Sequence, residues 1–212
     1  MSTGRFITFE GGEGGGKSTQ LRLLAQRLAD RGGEVVATRE PGGSPGAEAI
    51  RDLLVRGAAD RWSAMTETLL MYAARRDHLE RVIRPALDRG AWVLCDRFAD
   101  STRAYQGAAG GTDPAFIAAL ESHVLGDIRP DLTLILDLPP EAGLARAATR
   151  AGAETRFESK GAAFHGRLRQ AFLDIARAEP DRCRVIDATQ ALEAVSADIW
   201  LALGSMGARA DG

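Results

Sequence analysis

Gly11-Gly12-Glu13-Gly14-Gly15-Gly16-Lys17-Ser18 decides the fold, because it satisfies G-x-x-x-x-G-K-[ST] at every fixed position. Before it, Arg5-Phe6-Ile7-Thr8-Phe9-Glu10 is short and β-rich. After it, Leu21, Leu24, Ala25 and Leu28 recur at i, i+3, i+4 and i+7, one face of a helix starting near Ser18. Strand, glycine loop and helix in that order make a phosphate cradle. Glycine lets the backbone turn tightly and present successive N–H groups to phosphate oxygens, and the helix points its positive dipole end at the same anion. Lys17 reaches the terminal phosphates, and the Ser18 hydroxyl is a hard oxygen ligand suited to Mg²⁺. The plain alternative is a glycine-rich turn that binds nothing. Against it, only Lys17 and Lys160 are lysines among the 27 basic residues, yet one of the two stands in this loop.

The composition bounds the remaining classes. A chain of 212 residues with 45% hydrophobic and 26% charged content suits one α/β domain with a sizeable core. Its formal charge of −2 argues against a protein that coats nucleic acid. Cys95 and Cys183 are too few and too far apart for a disulfide framework or a zinc pattern, and Cys95 in an apolar strand reads as a buried thiol. No signal-peptide pattern and no apolar run of about 18 residues is present, so a cytoplasmic protein without membrane contact is expected.

Strands are expected at Glu34–Thr38, Ala91–Cys95, Asp131–Leu138 and Arg182–Ile186, with helices between them. Alternation of this kind predicts a doubly wound three-layer α/β fold of the P-loop type, a five-stranded parallel sheet with helices on both faces. Thr66 to Leu87 reads as one long helix whose buried face carries Leu69, Leu70, Ala73, Ala74, Leu79, Val82, Ile83 and Leu87, kinked or broken at Pro85. Arg75 and Arg76 in its middle read, unaided, as a solvated face rather than as ligand contacts. Arg39-Glu40-Pro41-Gly42-Gly43-Ser44-Pro45-Gly46 follows a strand's C-terminal end, where open parallel sheets bind ligands. Asp96-Arg97 at the tip of an apolar strand is costly to bury without partners. It either forms a mutual ion pair or faces a charged ligand, Asp96 toward Mg²⁺ and Arg97 toward a phosphate. Residues from about 146 to 163, with Arg146, Arg150 and Arg156, read as a lid or as a solvated loop; a closing helix covers Leu192–Leu203, and 204–212 reads as a frayed tail.

Phe9-Glu10-Gly11 running into Gly16-Lys17-Ser18-Thr19, Thr38-Arg39-Glu40-Pro41-Gly42-Gly43, Asp96-Arg97-Phe98 and Ser101-Thr102-x-Ala104-Tyr105-Gln106-Gly107 together resemble bacterial thymidylate kinases, in order, from about Arg5 to Leu203. The resemblance implies a single nucleoside monophosphate kinase domain over 1–212, transfer of the ATP γ-phosphate to dTMP with Mg²⁺, and a homodimer. It assigns the ATP phosphates to Gly11, Gly12, Glu13, Gly14, Gly15, Gly16, Lys17, Ser18 and Thr19, with Lys17, Glu13, Arg97, Arg150 and Arg156 in catalysis and Ser18 and Asp96 at the metal. The acceptor falls to Arg97 and Arg51 at its phosphate, Arg75 at the thymine edge, and Glu40, Pro41, Met71, Tyr72, Ser101, Thr102, Tyr105 and Gln106 around the nucleoside. Family members commonly place phenylalanine where this chain has Met71. One branch carries an arginine in the phosphate loop where this chain has Gly14; the other puts its arginines in the lid, the branch that Arg150 and Arg156 fit. The loop Ala188-Thr189-Gln190 is a candidate for adenine. A same-fold kinase for another acceptor is the nearest alternative. A nucleotide-dependent switch would be expected to carry a guanine-reading Asn-Lys-x-Asp motif, which the chain lacks.

Overall fold

Apolar runs bounded by glycine and by charge become the strands of the computed structural model, which describes residues 4–58, 60–148, 156–157 and 159–207. They are β1 (Arg5–Glu10), β2 (Val35–Arg39), β3 (Trp92–Asp96), β4 (Leu132–Asp137) and β5 (Cys183–Asp187). All four pairings are parallel, in the order β2-β3-β1-β4-β5, with Phe6 opposite Val93 and Phe9 opposite Leu134. Each expected strand is found, shifted by about one residue. The chain leaves β1 toward β2 on one side and leaves β3 toward β4 on the other. The crevice between the C-terminal ends of β1 and β3 is therefore the switch point where such sheets take ligands.

One face of the sheet is covered by α1 (Lys17–Ala29) and α9 (Leu192–Gly207). There Leu21, Leu24 and Leu28 meet Ile7, Phe9 and Leu134 on one side and Val195, Ile199 and Leu203 on the other. The other face holds α3 (Ala64–His78), α4 (Arg84–Asp88) and α6 (Pro114–Leu125) over Phe6, Val93 and Cys95. Beside them α8 (Ala162–Ala178) packs Phe164, Leu168 and Phe172 over Ile135. The three layers expected from the sequence are present. Three shorter helices, α2 (Pro45–Val55), α5 (Ala99–Thr102) and α7 (Pro140–Ala148), carry the loops that converge on the crevice. Among the described residues no helix is long and apolar enough to cross a membrane.

Two expectations are corrected. The closing helix does not fray at Gly204 but runs to Gly207. A single glycine costs about 1 kcal/mol in a helix, too little to stop one whose preceding turns are packed. The second correction concerns α3. The long helix is broken near Pro85, as expected, by a π-helical turn over Leu79–Ile83 in which the Arg84 N–H reaches back to the Leu79 carbonyl. That widened turn makes room for the proline ring. Its N-terminal half, however, is turned from the expected stripe, although Ala74 is buried as expected and Leu70 is half-buried. Leu69 and Ala73 are exposed, while Glu67, Thr68, Arg75 and His78 are buried together with Tyr72. The helix turns polar groups inward because its inner face forms the wall of a polar cleft.

Candidate active site

The glycine loop between β1 and α1 ends at Gly16, which takes a left-handed conformation and leaves the first turn of α1 with no side-chain cap. The donors of that turn therefore remain available to an anion. Glu13 to Thr19 line one wall of a cleft of about 750 Å³. Gly11 and Gly12, expected to touch phosphate, sit behind that wall; their carbonyls accept Lys17 Nζ at 3.2 and 2.7 Å. Burial depresses the Lys17 pKa to about 8, with the neighbouring Arg97 charge adding to the effect against Glu13, Asp96 and Glu10. Gly14, with φ of +70°, lies against the backbone of Gly143 on α7, so closely that a Cβ there would fall 2.1 Å from the Gly143 carbonyl oxygen.

At the tip of β3 the Asp96-Arg97 pair does not close on itself. The Ser18 hydroxyl donates to Asp96 Oδ2, placing two hard oxygens together on the cleft wall. Arg97 adopts φ of +71°, a left-handed conformation unusual for a residue with a Cβ, and turns its guanidinium across the crevice. Nη1 donates to Gly11 O at 2.9 Å and to Ser101 Oγ at 3.2 Å, and Nη2 donates to Glu13 Oε1 at 3.0 Å. Burial opposes this charge, but Tyr105, Glu13, Asp96 and Glu10 outweigh it and push the Arg97 pKa up. The Tyr105 hydroxyl donates to the same Glu13 oxygen at 2.7 Å.

Glu10, a residue the sequence reading passed over as a functional group, organises this tip. Its buried carboxylate accepts from Phe98 N (2.8 Å), Ser101 N (3.2 Å) and Ser101 Oγ (2.6 Å), tying β1 to α5. Burial and the nearby Asp100 charge raise its pKa to about 7 against the pull of these donors and of Arg97. The available signal was a carboxylate ending a strand whose other residues near it, Phe6, Ile7 and Phe9, are apolar.

The opposite wall comes from α2, α3, α5 and the π-helical turn Arg103–Ala108. Arg75, read unaided as solvated, is 2% exposed. Its Nε donates to Glu40 Oε2 at 2.7 Å, and Nη2 donates to Phe98 O and Thr102 Oγ1 at 3.0 and 3.1 Å. Glu40 also meets His78 Nδ1 at 3.0 Å, so its carboxylate is occupied in holding Arg75. Pro41, Arg51, Met71, Ser101, Thr102, Tyr105 and Gln106 all line the cleft. Arg51 Nη1 donates to the Pro41 carbonyl at 2.6 Å, and Phe157 adds an aromatic edge 5.7 Å from the Tyr105 ring. Tyr72 is the exception. Its ring is in the core and its hydroxyl donates to Glu121 Oε1 at 3.1 Å, because α3 turns that position away from the cleft.

Of the expected lid arginines, Arg150 lies outside the described residues. Arg146 Nη1 donates to Ala188 O at 3.1 Å, while the Ala188-Thr189-Gln190 loop itself is absent from the cleft lining. Arg156 is not presented to the phosphate loop in this conformation. It is 2% exposed and pinned to the acceptor wall, pairing with Glu67 and donating to Leu54 O (3.1 Å) and Ala58 O (2.9 Å) at the end of α2. A guanidinium with three such acceptors in reach is held more firmly there than in solvent.

The family model described as Thymidylate kinase matches residues 9–199. A thymidylate kinase of Caulobacter vibrioides is 71% identical over 199 residues, covering 94% of this chain and 95% of that protein. One from Nitrobacter winogradskyi is 56% identical over 210 residues, 98% and 91% of the two chains. Among solved structures, the thymidylate kinase of Ehrlichia chaffeensis superposes with a TM-score of 0.79 at 35% identity, covering 95% of this chain and 99% of that one. With a phosphate loop and a second cationic centre facing one cleft, and with these relatives along nearly its whole length, the chain belongs to the thymidylate kinase family of phosphotransferases.

Proposed function

We propose that the chain transfers the γ-phosphate of ATP to dTMP, giving dTDP and ADP. The observation that carries this reading is that Lys17, at the start of α1, and Arg97, just past the end of β3, donate to the same Gly11 carbonyl. A triphosphate on the loop and a monophosphate on Arg97 would then meet head to head, with the acceptor's own oxygen as nucleophile and no general base required. Phosphoryl transfer passes through a loose transition state, so the protein's work is alignment and charge neutralisation. Lys17 and the loop amides neutralise the donor, while Arg97 and Arg51 hold the acceptor phosphate in line.

Ser18 and Asp96 would hold Mg²⁺, and a single carboxylate with a hydroxyl fits an ion that completes its shell with water and phosphate oxygens. An Mg²⁺ held there would supply positive charge against the phosphates of the donor. On the nucleoside side, Arg75 Nη1 and Gln106 Oε1 are buried without a partner. One donor and one acceptor are what the O4 and N3–H edge of thymine needs. Tyr105, fixed by Glu13 and by aromatic neighbours, supports the exclusion of a 2′-hydroxyl.

The homodimer and a cytoplasmic location belong to the same proposal. Leu53, Met65 and Leu69 are 40 to 48% exposed on α2 and α3, an apolar strip suited to a second copy. The test of function is ADP formation from ATP with dTMP, dUMP, dCMP, dGMP and thymidine supplied in turn. The highest kcat/KM is expected with dTMP. Slow hydrolysis that no acceptor stimulates, or a preference for another acceptor, refutes the reading.

A further inference from the structure

Glu67 lies in the first turn of α3, behind the cleft wall and not on it. It is 2% exposed, yet its carboxylate is fully engaged: Oε1 accepts from Arg156 Nη2, and Oε2 accepts from Gln106 Nε2 at 3.1 Å. An ionised carboxylate only accepts. It therefore holds the NH₂ end of the Gln106 amide and turns the carbonyl end the other way, where Oε1 has no protein partner. The reverse orientation would set the Gln106 carbonyl oxygen against a carboxylate oxygen. Asparagine and glutamine otherwise flip at small cost, so some neighbour must choose the orientation.

We infer that Glu67, clamped by Arg156, is a positioning residue for base recognition, fixing the Gln106 amide so that it offers an acceptor to the incoming base. The inference rests on the proposed acceptor and deepens it. The edge that fits is a donor N3–H, as in thymine and uracil; cytosine presents an acceptor at N3. Because Arg156 also binds the carbonyls of Leu54 and Ala58, the placement of Arg156 and the reading of the base are one hydrogen-bonded unit. Cytosine is then rejected by a carbonyl oxygen that cannot turn away, a mismatch of like acceptors.

The test is the ratio of dissociation constants for dTMP and dCMP, with dUMP as the control sharing thymine's edge, titrated into the ligand-free chain. In Glu67→Gln the new amide can donate as well as accept, so Gln106 can adopt either orientation. The dCMP/dTMP ratio should fall roughly tenfold, dUMP should follow dTMP, and kcat at saturating dTMP should stay within about twofold. In a Gln106→Ala background, Glu67→Gln should leave the ratio unchanged, since its route of action is gone. If Glu67→Gln does not fold with Arg156 unpaired, Glu67→Gln/Arg156→Gln removes both charges and is read from the ratio of dissociation constants alone, without kcat. A ratio equal to wild type in the folded variant, or equal weakening of all three nucleotides, overturns the inference. A wild-type chain with no preference for dTMP over dCMP would instead overturn the functional reading on which it stands.

Discussion

Lys17 is a buried ammonium held by two carbonyls, and burial together with the facing Arg97 lowers its pKa to about 8. A triphosphate exchanges those neutral partners for anionic oxygens, which favours the charged form. At pH 8 nucleotide binding should therefore take up about half a proton per chain. Calorimetric titration of MgATP in two buffers of different ionisation enthalpy measures this, and Lys17→Met should remove the uptake; none in the wild type would contradict the account. For Arg97 the expectation is different. Arg97→Ala should lower kcat/KM for dTMP by about 10² to 10³ while the ATP dissociation constant stays within about threefold. Wild-type kcat/KM in that variant would remove Arg97 from the reaction. Arg75 illustrates what single residues conceal in a sequence. Its partners Glu40, Phe98 and Thr102 are 23 to 35 positions away, so no local pattern marks it as buried. Only the resemblance placed it at the base.

At the scale of elements, the phosphate loop and α7 are fitted backbone to backbone. The Gly14 contact is reciprocated by Gly143, where a Cβ would fall 2.4 Å from the Glu13 carbonyl oxygen. Neither neighbour is a side chain that can swing aside. Gly143→Ala should displace the loop and raise KM for ATP by at least about fivefold, with KM for dTMP less affected; unchanged ATP kinetics would show the contact to be dispensable. Strands, the glycine loop and most helix boundaries were legible, since their signals are local: apolar runs of β-forming residues, glycine before a helix, proline in a first turn. The facing of α3 was not. Periodicity reports which side of a helix is apolar, and it equates that side with the core. Here Glu67, Arg75 and His78 are buried through Thr38 and Glu40 at the end of β2, Phe98 and Thr102 at α5, Gln106 and Arg156, and the apolar Leu69 and Ala73 are left outside. Tyr72 was expected beside the nucleoside from the resemblance, next to Met71, and one step along the helix carries it from the cleft into the core; Arg156 was expected in a lid or a solvated loop because its stretch is polar and aperiodic.

At the scale of the whole molecule, the buried Glu10 carboxyl where β1, β3 and α5 meet makes stability depend on pH. The Glu10 carboxyl titrates near 7 in the folded chain and near 4.5 when unfolded. The folded state thus holds the proton more tightly between those values. Its contribution is fully present below about pH 4.5 and is lost as pH rises through 7, by at most roughly 3 kcal/mol. Glu10→Gln, which keeps an acceptor for Phe98 and Ser101 without the charge, should flatten the fall in unfolding free energy between pH 5 and 8. An identical slope in the variant, read from denaturant melts, would rule Glu10 out as its source.

The central claim is that donor and acceptor share one cleft, their phosphates meeting between Lys17 and Arg97. The most direct measurement is binding of adenosine and thymidine joined 5′ to 5′ through five phosphates. One molecule per chain should bind and compete with both ATP and dTMP, and Arg97→Ala should weaken it. Competition with only one of the two nucleotides, or two molecules bound per chain, would contradict the account.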